Sequence, residues 1–387
     1  SKGLGKAARK AVEHLHAIVV GAGAMGAGIA QTLARSEYTV TLKDSSDESL
    51  QRGLKQIRSS LERQRHLSEQ ERNFVLNRIE ASSKDYANAG NSALAIEAVF
   101  ESLELKQKIF GELSKLMPAD SILATNTSSL SVSKLAEGIE RPERVVGIHF
   151  FNPVDRMPLV EIVRAAKTND RTLITSAALA ARLGKLPIIV NDVPGFLVNR
   201  ILAPYLNEAG LLLRDGASIS AIDNAALAFG MPMGPCRLMD EIGLDVCVKV
   251  GKIMHDGLGD RAKPSQLSNM LYDGKFLGKK NGKGFYLYDE KGKVTGKNPE
   301  VVKLIPAKKN MRDEMMIQMR LFLPMVNEAA YILADKICDK AATVDIGMIY
   351  GLGFPPFKGG LLRWADQEGL AVSYTHLRAH ETKANLV

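Results

Sequence analysis

The sequence predicts an α/β fold in which a doubly wound, mainly parallel sheet is followed by two related all-α domains. Strand-like and helix-like segments alternate through residues 16–192, which is the pattern of a mainly parallel sheet covered by helices. Helical segments with proline and glycine punctuation then replace the strands, and one helical segment recurs later in the chain. At 387 residues, the length suggests about two to three domains.

The first half begins with a strand, a glycine-rich turn and a helix. The β-branched run HAIVV at 16–20 leads into GAGAMGAG and then into IAQTLARS, whose apolar residues have helical spacing. A second strand is predicted at YTVTLKD, and a long polar helical stretch is predicted over 46–80. The sheet continues with SALAIEAVFE, SILATN and RVVGIHFFN as strands and with LELKQKIFGELSKLM as a helix.

The second half contains an internal repeat. RILAPYLNEAGLLL at 200–213 recurs as RLFLPMVNEAAYIL at 320–333, at a constant offset of 120 residues, and FGMPMGP is echoed more loosely by LGFPPFKGG. Because a repeated helical pattern indicates duplicated units, we predict a first helical domain at 193–290 and a second at 291–371. The glycine- and lysine-rich segment GKFLGKKNGKGFYLYDEKGK, which carries a short aromatic strand signal, is the predicted boundary loop.

The two ends of the chain differ from the rest. Residues 1–15 lack the apolar core of a secretory signal, and we interpret them as a linker rather than as a basic amphipathic targeting helix. Residues 372–387 continue no apolar periodicity and resemble a translated adapter. We therefore interpret the last segment as non-native and the second helical domain as truncated.

Composition and charge limit the function classes. Hydrophobic residues make up 45% and charged residues 24% of the chain, which is typical of a globular protein. The net charge of +8 favours anionic ligands such as phosphates. The sequence lacks a basic block interleaved with aromatic residues, which is the pattern that would predict nucleic-acid binding. Cys236, Cys247 and Cys338 form no C-x-x-C pair, which favours a reducing compartment and predicts no metal site. No stretch reaches the roughly 18 to 20 apolar residues of a membrane span.

Three glycines between the first strand and the first helix predict a nucleotide site. Gly21, Gly23 and Gly26 form a G-x-G-x-x-G motif in the required strand–turn–helix context. The first makes the turn, the second lets the backbone approach a pyrophosphate, and the third permits close helix packing. Asp44 closes the second strand, where a carboxylate accepts hydrogen bonds from a ribose 2′-OH and repels a 2′-phosphate. The pattern predicts a Rossmann-like domain that binds NAD; the alternative is a simple turn with Asp44 as a helix cap.

Two polar residues interrupt apolar, strand-like runs within 147–163. If VVGIHFF and LVEIV are neighbouring antiparallel strands, a reversal centred on Asp155 places His149 opposite Glu161. The carboxylate would then fix the tautomer of the imidazole and leave its other nitrogen as a general base, as a dehydrogenase acting on an alcohol requires. The alternative is a surface histidine and an edge-strand glutamate with no joint role.

Further polar residues fall near these two sites in the predicted fold. Glu101 ends a strand and Lys106 lies on the next helix, at the edge where parallel sheets bind ligands; a cap or a solvated charge is the alternative for each. Ser128 at a strand end, Asn152 just past the histidine, and Asn199 on the first helix of the second half are candidates for a substrate pocket. For Asn199, a cap or a bond across helices is the alternative.

Seven segments, in order, resemble the L-3-hydroxyacyl-CoA dehydrogenase family. They are VVGAGAMGAGIAQ, ATNTSSLSVSKLA, RVVGIHFFNPVDRMPLVEIV, DVPGFLVNRILAPYLNEA, FGMPMGPCRLMDEIGLDV, FLGKKNGKGFYLYD and YGLGFPPFKGG. Together they extend over almost all of residues 16–370. The duplicated helical domain makes the chain more similar to the dehydrogenase half of multifunctional fatty-oxidation enzymes than to the short single-function dehydrogenases.

The resemblance implies roles for individual residues at the reacting end of the site. His149 would be the base and Glu161 its partner. Ser128 and Asn199 would hold the hydroxyl or carbonyl end of the substrate. Asn152 would lie at the junction of substrate and nicotinamide.

The resemblance also implies the cofactor contacts and one more substrate contact. Tyr350, in the second repeat, matches a position that touches substrate in the multifunctional enzymes. Ser128 and Asn152 would also contact the cofactor. The other positions that match the NAD-lining residues of the family are Gly21, Gly23, Met25, Gly26, Asp44, Val99, Phe100, Glu101 and Lys106.

The implied activity is NAD-dependent oxidation of L-3-hydroxyacyl-CoA to 3-ketoacyl-CoA in fatty-acid β-oxidation. Two alternatives stay open: a β-hydroxyacid dehydrogenase acting on a free acid, and a non-catalytic NAD-binding or scaffold subunit. The family further implies a thiolase subunit as partner and an enoyl-CoA hydratase half in the parent protein. The expected location is the bacterial cytoplasm, with the mitochondrial matrix as the alternative.

Overall fold

In the computed structural model, which describes residues 15–305 and 313–369, an eight-stranded sheet builds the first of two structural units. This unit ends at Asp192, and the second begins at Val193. The predicted linker, apart from its last residue, and the predicted C-terminal tail lie outside the described residues. The strands are β1 (His16–Val20), β2 (Thr39–Lys43), β3 (Ile79–Ser82), β4 (Ser92–Glu97), β5 (Ile122–Thr125), β6 (Val145–Phe150), β7 (Leu159–Arg164) and β8 (Leu186–Asn191).

The strand order is β3-β2-β1-β4-β5-β6-β7-β8, which confirms a doubly wound fold. Neighbouring strands are parallel except β6 and β7, which are antiparallel. Every residue of β1 is buried, because a parallel sheet is covered on both faces. The order reverses between β1 and β4, and ligands bind such sheets at the carboxyl ends of the strands around this point.

Helices cover the sheet, and all of those in this unit except the first begin at a side-chain cap. In the helix Asp47–Arg63, for example, Ser46 is the N-cap and accepts a hydrogen bond from the backbone of Ser49, while Leu50 and Ile57 are buried. The helices of this unit are α1 (Ala24–Arg35), α2 (Asp47–Arg63), α3 (Glu69–Leu76), α4 (Leu103–Leu116), α5 (Val132–Leu135) and α6 (Asp170–Arg182).

The single helical stretch predicted over 46–80 was wrong. It contains α2, α3 and the first two residues of the edge strand β3. Ser68 ends the connection between the two helices with a capping box, in which its hydroxyl accepts the backbone N–H of Glu71 and its own N–H donates to the Glu71 carboxylate. The strand was not predicted because its four residues, IEAS, contain no apolar run. A strand at the edge of a sheet is only partly buried and does not need one.

The strand predicted to reach Glu101 is also shorter than expected. It ends at Glu97, whose side chain accepts the backbone N–H of Val99 at 2.6 Å. This bond turns the chain, since it uses an N–H group that a longer strand would place in the sheet. Glu101 therefore lies beyond the strand, two residues before α4 begins at Leu103.

The second unit is helical, as predicted, with one small hairpin. Tyr286–Tyr288 (β9) pairs antiparallel with Val294–Lys297 (β10), which confirms the aromatic strand signal. A π-helical turn follows the helix that ends at Gly347 and spans Met348–Leu352. The helices are α7 (Val198–Arg214), α8 (Ile219–Phe229), α9 (Pro235–Ile242), α10 (Leu244–Leu258), α11 (Gln266–Asp273), α12 (Pro299–Leu304), α13 (Glu314–Ala334), α14 (Ala341–Gly347) and α15 (Leu361–Gln367).

The two repeated helices, α7 and α13, exchange matching ion pairs. Arg200 donates to Glu328 at 2.5 Å and to Asp335 at 2.8 Å. Its counterpart at the 120-residue offset, Arg320, donates to the residues at the matching offsets, Glu208 at 2.6 Å and Asp215 at 2.8 Å. The sequence repeat is therefore also a repeat of contacts.

The looser echo in the sequence has a structural counterpart as well. Asp223 accepts hydrogen bonds from the backbone N–H groups of Cys236 and Arg237, in the first turn of α9. Asp345 accepts the backbone N–H of Leu362, in the first turn of α15, at 2.7 Å. In both repeats an aspartate from an earlier helix caps a later one.

Candidate functional site

The three predicted glycines lie in the turn between β1 and α1, and each meets a different steric demand. Gly21 has φ of +103°, and an added Cβ would lie 2.6 Å from the carbonyl oxygen of Ala98. An added Cβ at Gly26 would lie 1.8 Å from the carbonyl oxygen of Gly21. At Gly23, no described atom lies within 4 Å of an added Cβ. Packing therefore requires the first and third glycines, whereas the second leaves open space where a ligand can approach the backbone.

Charge and hydrogen bonding at this turn suit a dinucleotide. Gly23 is the N-cap of α1, so the first N–H groups of the helix face the turn and favour an anion. The two carboxylate oxygens of Asp44 accept the backbone N–H groups of Ala22 and Ser45, both at 2.7 Å. A carboxylate offers about four acceptor positions, so Asp44 keeps capacity for ribose hydroxyls. These residues fit NAD.

A cavity of about 760 Å³ opens along this edge of the sheet. Its volume is in the usual range for ligand clefts, on the order of 300 to 1,000 Å³. Gly26, Glu101, Lys106, Ser128 and Asn152 are not among its lining residues. The predicted cofactor residues that line it are Gly21, Gly23, Met25, Asp44, Val99 and Phe100.

A buried ion-pair network lies beside the cavity. The ammonium group of Lys106, which is 1% exposed, donates to Glu97 at 2.7 Å and lies 3.1 Å from a carboxylate oxygen of Glu101. Glu97 is fully buried and also accepts the hydroxyl of Thr125 at 2.8 Å. Burial raises the pKa of Glu97, and the attraction of Lys106 opposes that rise. The two carboxylates together fix the position of the ammonium group.

The network continues from Glu101 to the predicted substrate residue Ser128. One oxygen of Glu101 accepts the hydroxyl of Thr127 at 2.5 Å, the backbone N–H of Ser128 at 3.1 Å and the hydroxyl of Ser129 at 3.2 Å. Burial acts to raise the pKa of Glu101, but Lys106 and these hydrogen bonds hold it below its usual value. The ionised carboxylate thus shapes the loop that carries Ser128.

His149 and Glu161 face one another on β6 and β7, as the sequence predicts. The two residues are register partners in the antiparallel pair, and the imidazole Nδ1 lies 2.7 Å from Oε2 of Glu161. His149 is 6% exposed and Glu161 is fully buried. Because a carboxylate only accepts hydrogen bonds, Nδ1 donates and Nε2 is the nitrogen that can exchange a proton.

Two contacts fix the strands that carry this pair. Asn126, at the end of β5, accepts the backbone N–H of Phe150 at 2.9 Å. Lys185 donates to the carbonyl oxygens of Val154 and, at 2.9 Å, of Met157, both in the connection between β6 and β7. Asn152 lies at the start of this connection and is exposed. The end of β6 and the connection that follows it are therefore held by side chains from outside the hairpin, Asn126 and Lys185.

The two remaining predicted residues belong to the second unit. Asn199 lies in the first turn of α7 and is half-buried. Tyr350 lies within the π-helical turn and is 44% exposed. Single-turn π-helical segments are frequent at functional positions.

Sequence reasoning missed Glu97, Asn126, Thr127 and Ser129. One signal for Glu97 was present, since it is a carboxylate inside the apolar run SALAIEAVF, as Glu161 is inside LVEIV. The other three residues sit in the polar segment TNTSSL, where the sequence gives no means of telling a network member from a solvated side chain.

The described part of the chain offers neither a metal site nor a membrane span. No group of three or more histidine, cysteine or acidic side chains there could hold a metal ion. No helix there combines the length and the apolar character that a membrane span needs.

Two family profiles match the chain. The profile of the 3-hydroxyacyl-CoA dehydrogenase NAD binding domain matches residues 16–193. The profile of the 3-hydroxyacyl-CoA dehydrogenase C-terminal domain matches residues 195–288.

Curated relatives and solved structures agree with these matches. The chain is 42% identical to the fatty acid oxidation complex subunit alpha of Vibrio parahaemolyticus over 363 residues, or 91% of this chain and 50% of that one. The match to the Psychrobacter arcticus subunit, 40% identical, covers 96% of this chain and 54% of that one. The chain thus spans about half the length of the curated relatives it matches.

Among solved structures, 3-hydroxybutyryl-CoA dehydrogenase from Escherichia coli superposes with a TM-score of 0.80 at 28% identity, covering 92% of this chain and 91% of that one. (S)-3-hydroxybutyryl-CoA dehydrogenase from Ralstonia eutropha superposes with a TM-score of 0.68 at 39% identity. That match covers 71% of this chain and 99% of the other.

Proposed function

The chain belongs to the 3-hydroxyacyl-CoA dehydrogenase family, and on this premise we propose that it oxidises L-3-hydroxyacyl-CoA to 3-ketoacyl-CoA in fatty-acid β-oxidation. It is an NAD-dependent dehydrogenase. The observation that carries the assignment of the base is the buried contact between His149 and Glu161, at 2.7 Å.

In this proposal His149 moves the proton and Glu161 supports it. Nε2 of His149 takes the proton of the substrate hydroxyl, and the imidazolium that forms is stabilised by Glu161 through Nδ1–H. The residues of the cofactor site would hold NAD, which would supply the acceptor for the hydride from C3 of the substrate. Glu161 also prevents the tautomer in which Nε2 carries the hydrogen, because a carboxylate offers Nδ1 no donor.

The other site residues are proposed to bind and orient. Ser128 and Asn199 hold the oxygen at C3 of the substrate, and Asn152 contacts both substrate and nicotinamide. Tyr350 contacts the substrate from the second repeat. The turn glycines, Met25, Asp44, Val99, Phe100, Glu101 and Lys106 form the cofactor site.

The whole parent protein is proposed to resemble the fatty acid oxidation complex alpha subunits in having further activities and a partner. The relatives' length supports an additional segment, which we propose to be an enoyl-CoA hydratase half. Their name as subunits of a complex supports a partner chain, which we propose to be a thiolase. The bacterial source of these relatives supports the bacterial cytoplasm over the mitochondrial matrix as the location.

Oxidation of NADH by the full chain, with acetoacetyl-CoA or with acetoacetate at equal concentration, tests the function. We expect turnover with the thioester and at least about tenfold less with the free acid, because CoA contacts supply binding energy. Equal rates would favour the free-acid dehydrogenase. Absence of turnover with both, with NADH still bound, would favour a non-catalytic NAD-binding subunit.

A further inference from the structure

The nucleotide cavity extends past Asp44 to a polar end that the cofactor motif does not explain. Beyond the turn and Asp44, its lining residues include Tyr86, Leu105, Ile109 and Glu112. Tyr86 lies in the connection between β3 and β4, and Glu112 lies on α4. With the pyrophosphate of a dinucleotide at the turn and its ribose at Asp44, the part of the cavity that remains for the base is lined by these residues.

The walls on the way to this end are apolar. Val99 and Ile109 line the cavity together with Leu105, which is 37% exposed. Apolar side chains of this size accept the faces of a flat aromatic base but cannot distinguish one purine from another. Discrimination between bases must come from polar groups of the lining, which include Arg52, Gln56 and Lys108 as well as Tyr86 and Glu112.

Of these polar groups, Tyr86 and Glu112 form a pair that accepts hydrogen bonds. The hydroxyl of Tyr86 donates to Oε2 of Glu112 at 2.8 Å. Burial, and then the hydrogen bond and charge of Glu112, raise the pKa of Tyr86 far above its usual value, so the phenol keeps the proton that it donates. Oε1 of Glu112 accepts no hydrogen bond from the described residues. Because the phenol proton is donated to Oε2, both Oε1 of Glu112 and the lone pairs of the phenol oxygen can only accept hydrogen bonds from a ligand.

The connection that carries Tyr86 is held in place by Lys43. The ammonium group donates to the carbonyl oxygens of Asp44 at 2.8 Å and Ser83 at 3.0 Å, and it lies 5.9 Å from the centre of the Tyr86 ring. The tyrosine is thereby linked to the residue that binds the ribose. The polar end is a fixed part of the same cavity.

We propose that Glu112, oriented by Tyr86, recognises the 6-amino group of adenine and so selects an adenine dinucleotide over one with an oxygen at that position. The amino group of adenine donates hydrogen bonds, whereas the 6-carbonyl of hypoxanthine or guanine accepts them. With a 6-carbonyl in place of the amino group, the Glu112 carboxylate has no donor to bind there, and its negative charge faces the negative end of the carbonyl dipole. Glu112 is a specificity residue, and Tyr86 is a positioning residue.

Binding of reduced NAD and of reduced nicotinamide hypoxanthine dinucleotide to the full chain tests this proposal without turnover. The two ligands differ only at the base, where the 6-amino group is replaced by a carbonyl and the adjacent N1 changes from an acceptor to a donor. Dissociation constants are measured by the change in dihydronicotinamide fluorescence. For the wild type we expect roughly tenfold tighter binding of NADH, the scale of one hydrogen bond to a charged group at a partly exposed position.

The ratio of the two dissociation constants is the quantity to compare between variants. Removing a negative charge near a dinucleotide changes the binding of both ligands alike, so the ratio isolates recognition of the base. In Glu112→Ala the ratio should fall to about one. In Glu112→Gln it should fall as well, because an amide can donate to the 6-carbonyl. Asp120→Asn, an exposed acid beyond the end of α4 and outside the cavity lining, is the control that should keep the wild-type ratio.

Tyr86→Phe separates positioning from recognition. Without the phenol the carboxylate loses its orientation, so the ratio should lie between those of the wild type and Glu112→Ala. Circular dichroism and thermal unfolding establish that each variant is folded. A wild-type ratio near one, or a ratio that Glu112→Ala leaves unchanged, would overturn the proposal.

Discussion

Nδ1 of His149 lies 2.7 Å from Oε2 of Glu161, and the two residues are direct register partners on the antiparallel strands β6 and β7. In a directly opposed pair the Cβ atoms lie about 5 Å apart, so the strands themselves set the distance between the two side chains. The pair is buried, which keeps water from competing for the imidazole N–H. The sheet therefore orients the proposed base without help from a flexible loop.

Removing the charge of Glu161 should slow turnover without weakening cofactor binding. Glu161→Gln keeps the side-chain shape but no longer stabilises an imidazolium, and it permits the wrong tautomer. We expect kcat for NADH oxidation with acetoacetyl-CoA to fall by about 10- to 100-fold, less than the roughly 10²- to 10⁴-fold that a general base itself contributes, because His149 is retained. Glu143→Gln, an equivalent change at a partly exposed surface glutamate, is the control. A wild-type kcat for Glu161→Gln would remove the carboxylate from the mechanism.

The glycines of the turn should respond differently to alanine. In Gly23→Ala the added Cβ enters open space, so the thermal midpoint should stay within a few degrees of the wild type while the Kd for NADH rises at least about tenfold. In Gly26→Ala the Cβ meets a carbonyl oxygen of the turn, so the protein should be destabilised by roughly 1 to 3 kcal/mol. Calorimetry and a fluorescence titration measure the two quantities. Unchanged NADH binding by Gly23→Ala would contradict the assignment of the open side to the cofactor.

Glu97 should stabilise the fold chiefly as the buried partner of Lys106. Glu97→Ala leaves the ammonium group with Glu101 as its remaining carboxylate, and we expect a loss of about 3 kcal/mol in the free energy of unfolding. The double variant Glu97→Met with Lys106→Met replaces both charges by apolar groups and should lose less than the sum of the single changes. Urea unfolding measures these values. Additive losses would show that the two residues act independently.

Asp240 should make the stability of the second unit depend on pH. It accepts the backbone N–H groups of Phe285 and Tyr286 at 2.9 Å and the hydroxyl of Tyr288 at 2.7 Å. Burial raises its pKa from 3.8 to about 6. The folded state therefore binds the proton more tightly than the unfolded state. The stability from this proton is fully present below about pH 4 and is lost as the pH rises through 6.

The stability of the wild type relative to Asp240→Asn measures this effect. We expect the wild-type advantage in free energy of unfolding to fall by roughly 2 kcal/mol between pH 4 and pH 7, because each unit of the rise in pKa from 3.8 to about 6 is worth about 1.36 kcal/mol and part of this stability is already lost at pH 4. Asp289→Asn, at an exposed residue of the same hairpin region, is the control and should not show this dependence on pH. An advantage that stays constant or grows with pH would contradict the assignment.

The sequence was sufficient where the chemistry is local. The turn glycines and Asp44 follow from a motif of fixed spacing, and the pairing of His149 with Glu161 follows from two short strands and the reversal between them. The ion pairs of Arg200 and Arg320 could be anticipated only as a repeat of residue types. Their partners became known from the packing of α7 against α13.

The rest depends on tertiary structure that no local pattern encodes. From the sequence alone, Lys106 could be a solvated charge on a helix. In the structure, the carboxylates of Glu97 and Glu101 hold its ammonium group in the interior. Thr127 and Ser129 have the sequence context of ordinary loop residues, but in the structure both hydroxyls donate hydrogen bonds to Glu101. Tyr86 and Glu112 are 26 residues apart, and neither interrupts an apolar run, so their contact leaves no periodic signal. Sequence reasoning found the polar contact between the adjacent strands that carry His149 and Glu161, but it missed polar contacts between elements that are distant in the sequence.

The most direct test of the proposed mechanism is the kcat of His149→Gln for NADH oxidation with acetoacetyl-CoA, measured beside its Kd for NADH. Glutamine has a similar size but cannot accept and return a proton. We predict a fall in kcat of at least about 100-fold with the Kd for NADH unchanged, since the histidine lies outside the residues that line the cofactor cavity. A variant that turns over at the wild-type rate would contradict the role of His149 as the base.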